Sequence, residues 1–164
     1  MMLETRKIFF KMNKDQRHLN VTAIENGTVI DHIPANNVFK VLHILNLENN
    51  KNQVLFGDNL DSQKYGKKGI IKVSNTFFDK GEINKIALVA PTATFIEIKN
   101  FEVVAKKQVE VPDHIQRIVK CFNPNCITNI ENVPSRFTVV NKKDMKLLCH
   151  YCEKITGKNN IVFA

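Results

Sequence analysis

The chain of 164 residues has a formal net charge of +8, with 43% apolar residues, 8% aromatic residues and no tryptophan. That length suits one domain or two small ones, and no apolar stretch approaches the roughly 20 residues of a membrane-spanning helix. The basic balance favours anionic partners such as nucleotides, nucleic acid or an acidic protein face. The lysines are spread along the chain, however, without the block of cations that marks a nucleic-acid tail.

The opening segment has an apolar run of only Ile8, Phe9 and Phe10, too short for the centre of a secretory signal, so a cytoplasmic location is expected. Residues 12–19 are polar, and residues 1–18 are expected to form a flexible extension; Met12 is a second candidate start. Residues 21–24 read as a strand and Asn26-Gly27 as a turn. Residues 28–33 continue extended and stop at Pro34. Residues 36–47 read as a helix, because Val38, Val41, Leu42 and Leu45 recur on one face. Residues 53–56 and 69–73 are short strands around a loop bearing glycine and lysine. Residues 79–90 are a second helix, with Asp79 as its cap and Glu82 reaching back to it. Ile83, Ile86, Ala87 and Ala90 form its buried stripe, and Pro91 ends it. Residues 94–99 and 101–111 are two strands around a Lys99-Asn100 hairpin turn. This order predicts an α+β fold, a mainly antiparallel sheet with two helices on one face (ferredoxin-like). Pro112-Asp113 marks the boundary between a first unit over 19–111 and a second over 112–164.

All four cysteines fall in the second unit, as Cys121-Phe-Asn-Pro-Asn-Cys126 and Cys149-His-Tyr-Cys152. Two tight pairs about twenty residues apart have the spacing of a tetrahedral thiolate zinc site. Four sulfurs leave no position for water or substrate, so such a zinc is structural. Four thiolates and one zinc bring the formal charge to about +6. Two disulfides would need an oxidising compartment. A redox pair at Cys149 and Cys152 would leave Cys121 and Cys126 without a role. His150 reads as a solvent-facing turn residue rather than a fifth ligand. Strands near 136–140 and 145–148 bring the second pair back to the first in a small β zinc-ribbon-like unit. Too small to depend on its own apolar core, this unit draws on the order of 10 kcal/mol from metal binding.

Gly27-Thr-Val-Ile-Asp-His-Ile-Pro34, Gly66-Lys-Lys-Gly-Ile-Ile-Lys72, Ala90-Pro91 and Asn100-Phe-Glu-Val-Val104 stand in order ahead of the cysteine frame. Over residues 21–153 the chain resembles the regulatory chains of aspartate carbamoyltransferase, an enzyme of pyrimidine synthesis. The resemblance implies a non-catalytic subunit. Its N-terminal domain would bind nucleoside triphosphates (CTP, ATP and, as a further candidate, UTP) as allosteric effectors, with magnesium as a candidate companion ion. Its zinc domain would dock on the catalytic chain, and regulatory chains would pair as homodimers through their N-terminal domains. The resemblance implies that Asp31 meets the ribose, His32 and Lys106 the phosphates, and Lys72 the ribose and base. Lys68 is a further phosphate candidate. Ala23, Ile24, Val29, Ile98, Phe101 and Val103 would form the slot for the base, with the backbone of Ile24 and Phe101 reading its exocyclic group. Asn123, Asn125, Glu153 and Lys154 are the implied contacts of the catalytic chain. Ile96 and Phe101 depart from the polar residue and the tyrosine of other members, removing hydrogen bonds worth about 1 kcal/mol each.

The residue types suit that role: a nucleoside triphosphate needs cations, an acceptor for its ribose and an apolar slot. Asp31 and His32 are neighbours, so an extended strand sends them to opposite faces unless the backbone bends. Taken alone, His32 reads as a strand-end histidine, Lys68 and Lys72 as surface charges, and Ile24, Val29 and Val103 as core. Asn123 and Asn125 then merely shape a turn. An acid–base pair at Asp31-His32 lacks a nucleophile or third group. A zinc-ribbon nucleic-acid-binding protein is an alternative, drawing on Lys120, Arg136, Lys142, Lys143 and Lys146. It has few stacking residues, only Phe122, Phe137 and Tyr151. An effector-insensitive scaffold bridging catalytic trimers is another alternative. Neither a membrane nor a nucleic-acid partner is expected.

Overall fold

The computed structural model describes residues 23–164. The expected extension over 1–18, and residues 21 and 22 of the first expected strand, lie outside the described residues.

Five strands build the first sheet: β1 (Gly27–Pro34), β2 (Val54–Ser62), β3 (Gly66–Ser74), β4 (Thr94–Lys99) and β5 (Glu102–Gln108). Their spatial order is β2-β3-β1-β4-β5, and each pairing is antiparallel. Ile30 lies opposite both Ile71 and Phe95, so one apolar row crosses three strands. Helices α1 (Val38–Ile44) and α2 (Lys80–Lys85) cover that row. Val38, Val41, Leu42, Ile83, Ile86 and Ala90 join Ile30, Ile71 and Phe95 in one buried cluster. Burying one such large side chain contributes about 1.5–3 kcal/mol. The helices therefore sit on one face, as expected. Gly69 sets the closeness of α1 to β3, because a Cβ there would lie 2.1 Å from Val38 Cγ2.

The differences from expectation have local causes. Ala23 and Ile24 form no strand. The Glu25 carbonyl accepts the Phe101 N–H, and the Asn26 side chain accepts the Asn100 N–H. The segment is thus tied to the β4–β5 turn instead of to a neighbouring strand. Gly27 already belongs to β1 at a φ of 140°, where a Cβ would meet the Val73 carbonyl oxygen at 2.1 Å. Helix α1 ends at Ile44, since Asn46 is left-handed with a φ of 53° and a 3-10 turn follows at Leu47–Asn49. Leu45 is only half-buried. Helix α2 stops at Lys85 and continues as turns, though Ile83, Ile86, Ala87 and Ala90 are all buried. Its capping box is present: the Asp79 carboxylate accepts the Glu82 N–H at 2.8 Å, and Glu82 accepts the Asp79 N–H at 3.0 Å. Strands β2 and β3 run longer than expected, because the polar stretch continues the hairpin through a bulge between Gly57 and Leu60. The β4–β5 turn is Asn100-Phe101, one residue later than expected. Both residues take positive φ, 52° and 65°, as a two-residue turn matched to sheet twist requires.

The second unit holds β6 (His114–Gln116), β7 (Val119–Lys120), α3 (Ile127–Ile130), β8 (Arg136–Asn141), β9 (Lys146–Cys149), β10 (Ile155–Thr156) and β11 (Val162–Phe163). A four-stranded sheet runs β10-β9-β8-β6, and β11 pairs with β7. The expected strands near 136–140 and 145–148 are β8 and β9. Ile115, Val119, Phe137, Val139 and Leu147 form the second buried cluster with Cys121, Cys126 and Cys149. Phe163 packs against both clusters, and Leu88 of the first unit packs against the second. Among the described residues, no helix is long and apolar enough to cross a membrane.

Candidate functional site

The sheet face opposite the helices carries a second cross-strand row. Leu55 lies opposite Lys72, Lys72 opposite Val29, Val29 opposite Ile96, and Ile96 opposite Lys106. Directly opposed residues share a face, so the row sets an apolar strip between two lysines. Asp31 lies opposite Thr94, two residues along β1 from Val29, and Ile98 meets Val103 beyond a bulge. Val29, Asp31, Lys72, Ile98, Val103 and Lys106 are therefore brought together on one side of the sheet.

The bend that Asp31 and His32 require is present. Strand β1 shifts register between Ile30 and Ile33, and His32 takes a φ of 59°. His32 Nδ1 lies 3.6 Å from Asp31 Oδ2, and Asp31 Oδ1 accepts the His32 N–H at 2.7 Å. Lys68 donates to both Asp31 oxygens, at 2.7 and 3.0 Å. The Thr92 hydroxyl donates to the His32 carbonyl at 2.7 Å and holds the bulge from outside. The Tyr65 ring stands edge-on to His32, with centroids 5.7 Å apart. Lys72 is only 9% exposed, and burial holds its ammonium below the usual lysine range. Ile24 and Val29 are buried, whereas Ala23 is exposed, and Phe101 and Val103 are 65% and 56% exposed. The apolar slot has a built floor and an open wall. Tyr65, Thr92 and Leu55 were not anticipated: strand register and the bulge bring them here, and neither is visible in local spacing.

The four cysteine sulfurs all lie within 4.8 Å of one another. Cys121 Sγ is 3.5 Å from Cys152 Sγ, and Cys126 Sγ is 3.8 Å from Cys149 Sγ. Metal–sulfur bonds of about 2.3 Å give a tetrahedron with edges of about 3.8 Å, so the donor set fits zinc. Burial pushes the Cys121 and Cys149 thiols up, with contacts between thiols adding to the rise at Cys121. Burial acts in the same direction at Cys152, but the Lys154 backbone N–H, the Asn123 side chain and the Cys121 and Cys149 thiols together outweigh it and bring that thiol down to about 7. A bound divalent cation would favour the thiolate throughout.

Residues 19–110 match the family model described as aspartate carbamoyltransferase regulatory chain, allosteric domain, and residues 113–162 match its metal binding domain. The chain belongs to the aspartate carbamoyltransferase regulatory chain family. The regulatory chain of Thermococcus sibiricus is 53% identical over 146 residues, covering 89% of this chain and 97% of that one. That of Bacteroides thetaiotaomicron is 49% identical over 150 residues, covering 92% and 98%. That of Pyrococcus horikoshii is 51% identical over 146 residues, covering 88% and 96%. The family is one of regulatory, non-catalytic subunits.

In this regulatory chain the cysteine turns are braced by their neighbours. Asn129 Nδ2 donates to the Cys121 and Asn123 carbonyls at 2.9 and 2.8 Å. The Asn123 side chain accepts the Asn125 N–H at 3.2 Å, so Asn123 shapes the turn. The Thr128 hydroxyl lies 3.3 Å from Cys126 Sγ as a donor. In the second turn Glu153 is left-handed, its N–H reaches the Cys149 carbonyl, and the Cys149 N–H reaches the Lys154 carbonyl. Asn125, Glu153 and Lys154 are exposed, and so is His150, as expected. Phe122, Ile127 and Ile130 are exposed beside them. Sequence reasoning weighed Phe122 only as a stacking residue and missed Ile127 and Ile130, because spacing does not say which face of a four-residue helix turns outward.

Proposed function

We propose that this chain is the allosteric subunit of aspartate carbamoyltransferase. A nucleoside triphosphate binds on its open sheet face, and its cysteine unit, holding one structural zinc, docks on the catalytic chain. The observation that supports this most is the sharing of one face by Lys72, Val29, Ile96 and Lys106 beside the Asp31–His32–Lys68 cluster. Apolar floor, carboxylate and cations stand in the order that base, ribose and phosphates need. In this reading Asp31 accepts from the ribose, and His32, Lys68 and Lys106 hold phosphates. Lys72 reaches the ribose and base. Ala23, Ile24, Val29, Ile98, Phe101 and Val103 enclose the base.

Zinc, when bound, supplies a fixed tetrahedral clamp and no open position for chemistry. The chain's own turns then present Asn123, Asn125, Glu153 and Lys154, flanked by Phe122, Ile127 and Ile130, as a rigid docking surface. Residues 19–111 act as the effector domain and 112–164 as the docking domain. Pairing of two chains through the first domain has support in β2, an edge strand among the described residues, where exposed Phe56 stacks edge-on against exposed Phe39. Coupling between effector and docking surfaces is on the order of 1–3 kcal/mol. Phe163, which packs on both buried clusters, is the contact through which it passes.

Reconstitution with the catalytic chain tests this reading. CTP should shift the aspartate saturation curve of the complex, ATP should oppose it, and neither should act on catalytic trimers alone. A complex that assembles yet ignores every nucleotide would reduce the chain to a scaffold.

A further inference from the structure

A cavity of about 570 Å³ opens beside the first cysteine turn, with Arg117, Lys120, Thr128, Asn129, Ser135 and Ala164 among its walls. No carboxylate side chain lines it. Lys142 is paired with Asp113 at 2.7 Å, whereas among the described residues Arg117 and Lys120 take part in no ion pair. Arg117 is also held in an unusual backbone state, with a φ of 62°. Its N–H donates to the Ser135 carbonyl at 3.1 Å, which fixes this position on the cavity wall. The opposite wall is equally fixed, since the Asn129 amide is committed to the Cys121 and Asn123 carbonyls. Two exposed cations beside a cavity that no acidic side chain lines favour an oxyanion, and a guanidinium matches a carboxylate with two parallel hydrogen bonds.

The surroundings favour a protein carboxylate over a free ion. The helix that supplies Thr128 and Asn129 also carries Ile127 and Ile130, and Ile130 is 68% exposed. A phosphate ion would leave both isoleucines in water, and the cavity exceeds one oxyanion in size. A partner chain that places an acidic side chain in the cavity also covers the isoleucines, giving a charged anchor with an apolar border.

We propose that this cavity receives an Asp or Glu side chain of the catalytic chain, with Arg117 and Lys120 as its paired cations. The inference rests on the docking reading above and extends it to residues outside the cysteine turns.

The test uses the zinc-loaded full chain with its catalytic chain. Dissociation of the complex is measured across a salt series for wild type, for Arg117→Gln/Lys120→Gln, and for Lys143→Gln as a control outside the cavity, with zinc content confirming the fold. The double variant should bind at least about tenfold more weakly at low salt and with a flatter salt dependence, and the control should match wild type. A second arm needs no variant: carbodiimide treatment of the wild-type complex should join Lys120 to a carboxylate of the catalytic chain. Unchanged affinity and salt dependence, with Lys120 absent from the cross-links, would overturn the proposal. Saturable binding of inorganic phosphate that the double variant loses, with assembly unchanged, would overturn it in favour of a small-anion site. Failure of the wild-type chain to bind the catalytic chain at all would instead sink the docking reading itself.

Discussion

Lys68 donates to both carboxylate oxygens of Asp31, and the two side chains are only 22% and 17% exposed. Two groups proposed for different parts of one nucleotide, phosphate and ribose, thus hold each other. A triphosphate that takes Lys68 must compete with Asp31. Lys68→Met should weaken nucleoside and inorganic triphosphates alike, by about tenfold or more, as expected for a charged hydrogen bond worth about 1.5–3 kcal/mol. Asp31→Asn should divide them: the nucleotide loses its ribose acceptor and binds more weakly, whereas inorganic triphosphate meets an unopposed Lys68 and binds more tightly. Calorimetric titration of both ligands checks this. Equal weakening of the two by Asp31→Asn would contradict it.

Lys72 gives a pH signature. Burial lowers its pKa from 10.5, so the folded chain gives up this proton more readily than the unfolded one. The penalty on the charged form is fully present below the folded pKa and is relieved as pH rises through it towards 10.5. Bringing phosphate and ribose oxygens onto this face raises the pKa again. Between the two values, binding must therefore take up a proton. Calorimetry below pH 10.5, in buffers of different ionisation enthalpy, should show more uptake in wild type than in Lys72→Met. Equal uptake by the two proteins would remove Lys72 from the site.

Metal removal should act on one unit and spare the other. A strong chelator should unfold the cysteine unit, which depends on zinc for about 10 kcal/mol, and abolish binding to the catalytic chain. The first sheet, with its own buried cluster, should retain nucleotide binding. Zinc affinity should fall as pH falls, because the thiols of Cys121 and Cys149 are raised and must lose protons to ligate. Circular dichroism and zinc release as a function of pH measure both effects. Unchanged docking by metal-free protein would be the contrary result.

The approach of α1 to β3 predicts a paired effect. Gly69→Ala places a methyl 2.1 Å from Val38 Cγ2 and should cost about 1–3 kcal/mol as an overpacking change. Val38→Ala, at a fully buried site, should cost a similar amount by leaving a cavity. The double variant should be more stable than the sum of the two losses, since each relieves the other. Denaturant unfolding of the four proteins tests this; strict additivity would place the strain elsewhere.

What could be read from the chain was local. The Asp79–Glu82 capping box lies within one turn of sequence, and the cysteine spacing alone anticipates four sulfurs within 4.8 Å. What could not be read depended on two segments at once. The bulge that turns His32 towards Asp31 is a mismatch between β1 and β3, so neither strand reveals it alone. Phe101 at positive φ is set by the register of β4 on β5, against the preference of a bulky residue. The cavity of Arg117 and Lys120 gathers residues from 117 to 164, and no spacing rule joins them.

The most direct measurement is a calorimetric titration of CTP into the zinc-loaded chain, with His32→Ala beside it. Saturable binding by the wild type, lost or strongly weakened in the variant with zinc content and fold unchanged, is the predicted result. No binding by correctly folded wild-type chain would contradict the effector site and leave the open sheet face without its proposed ligand.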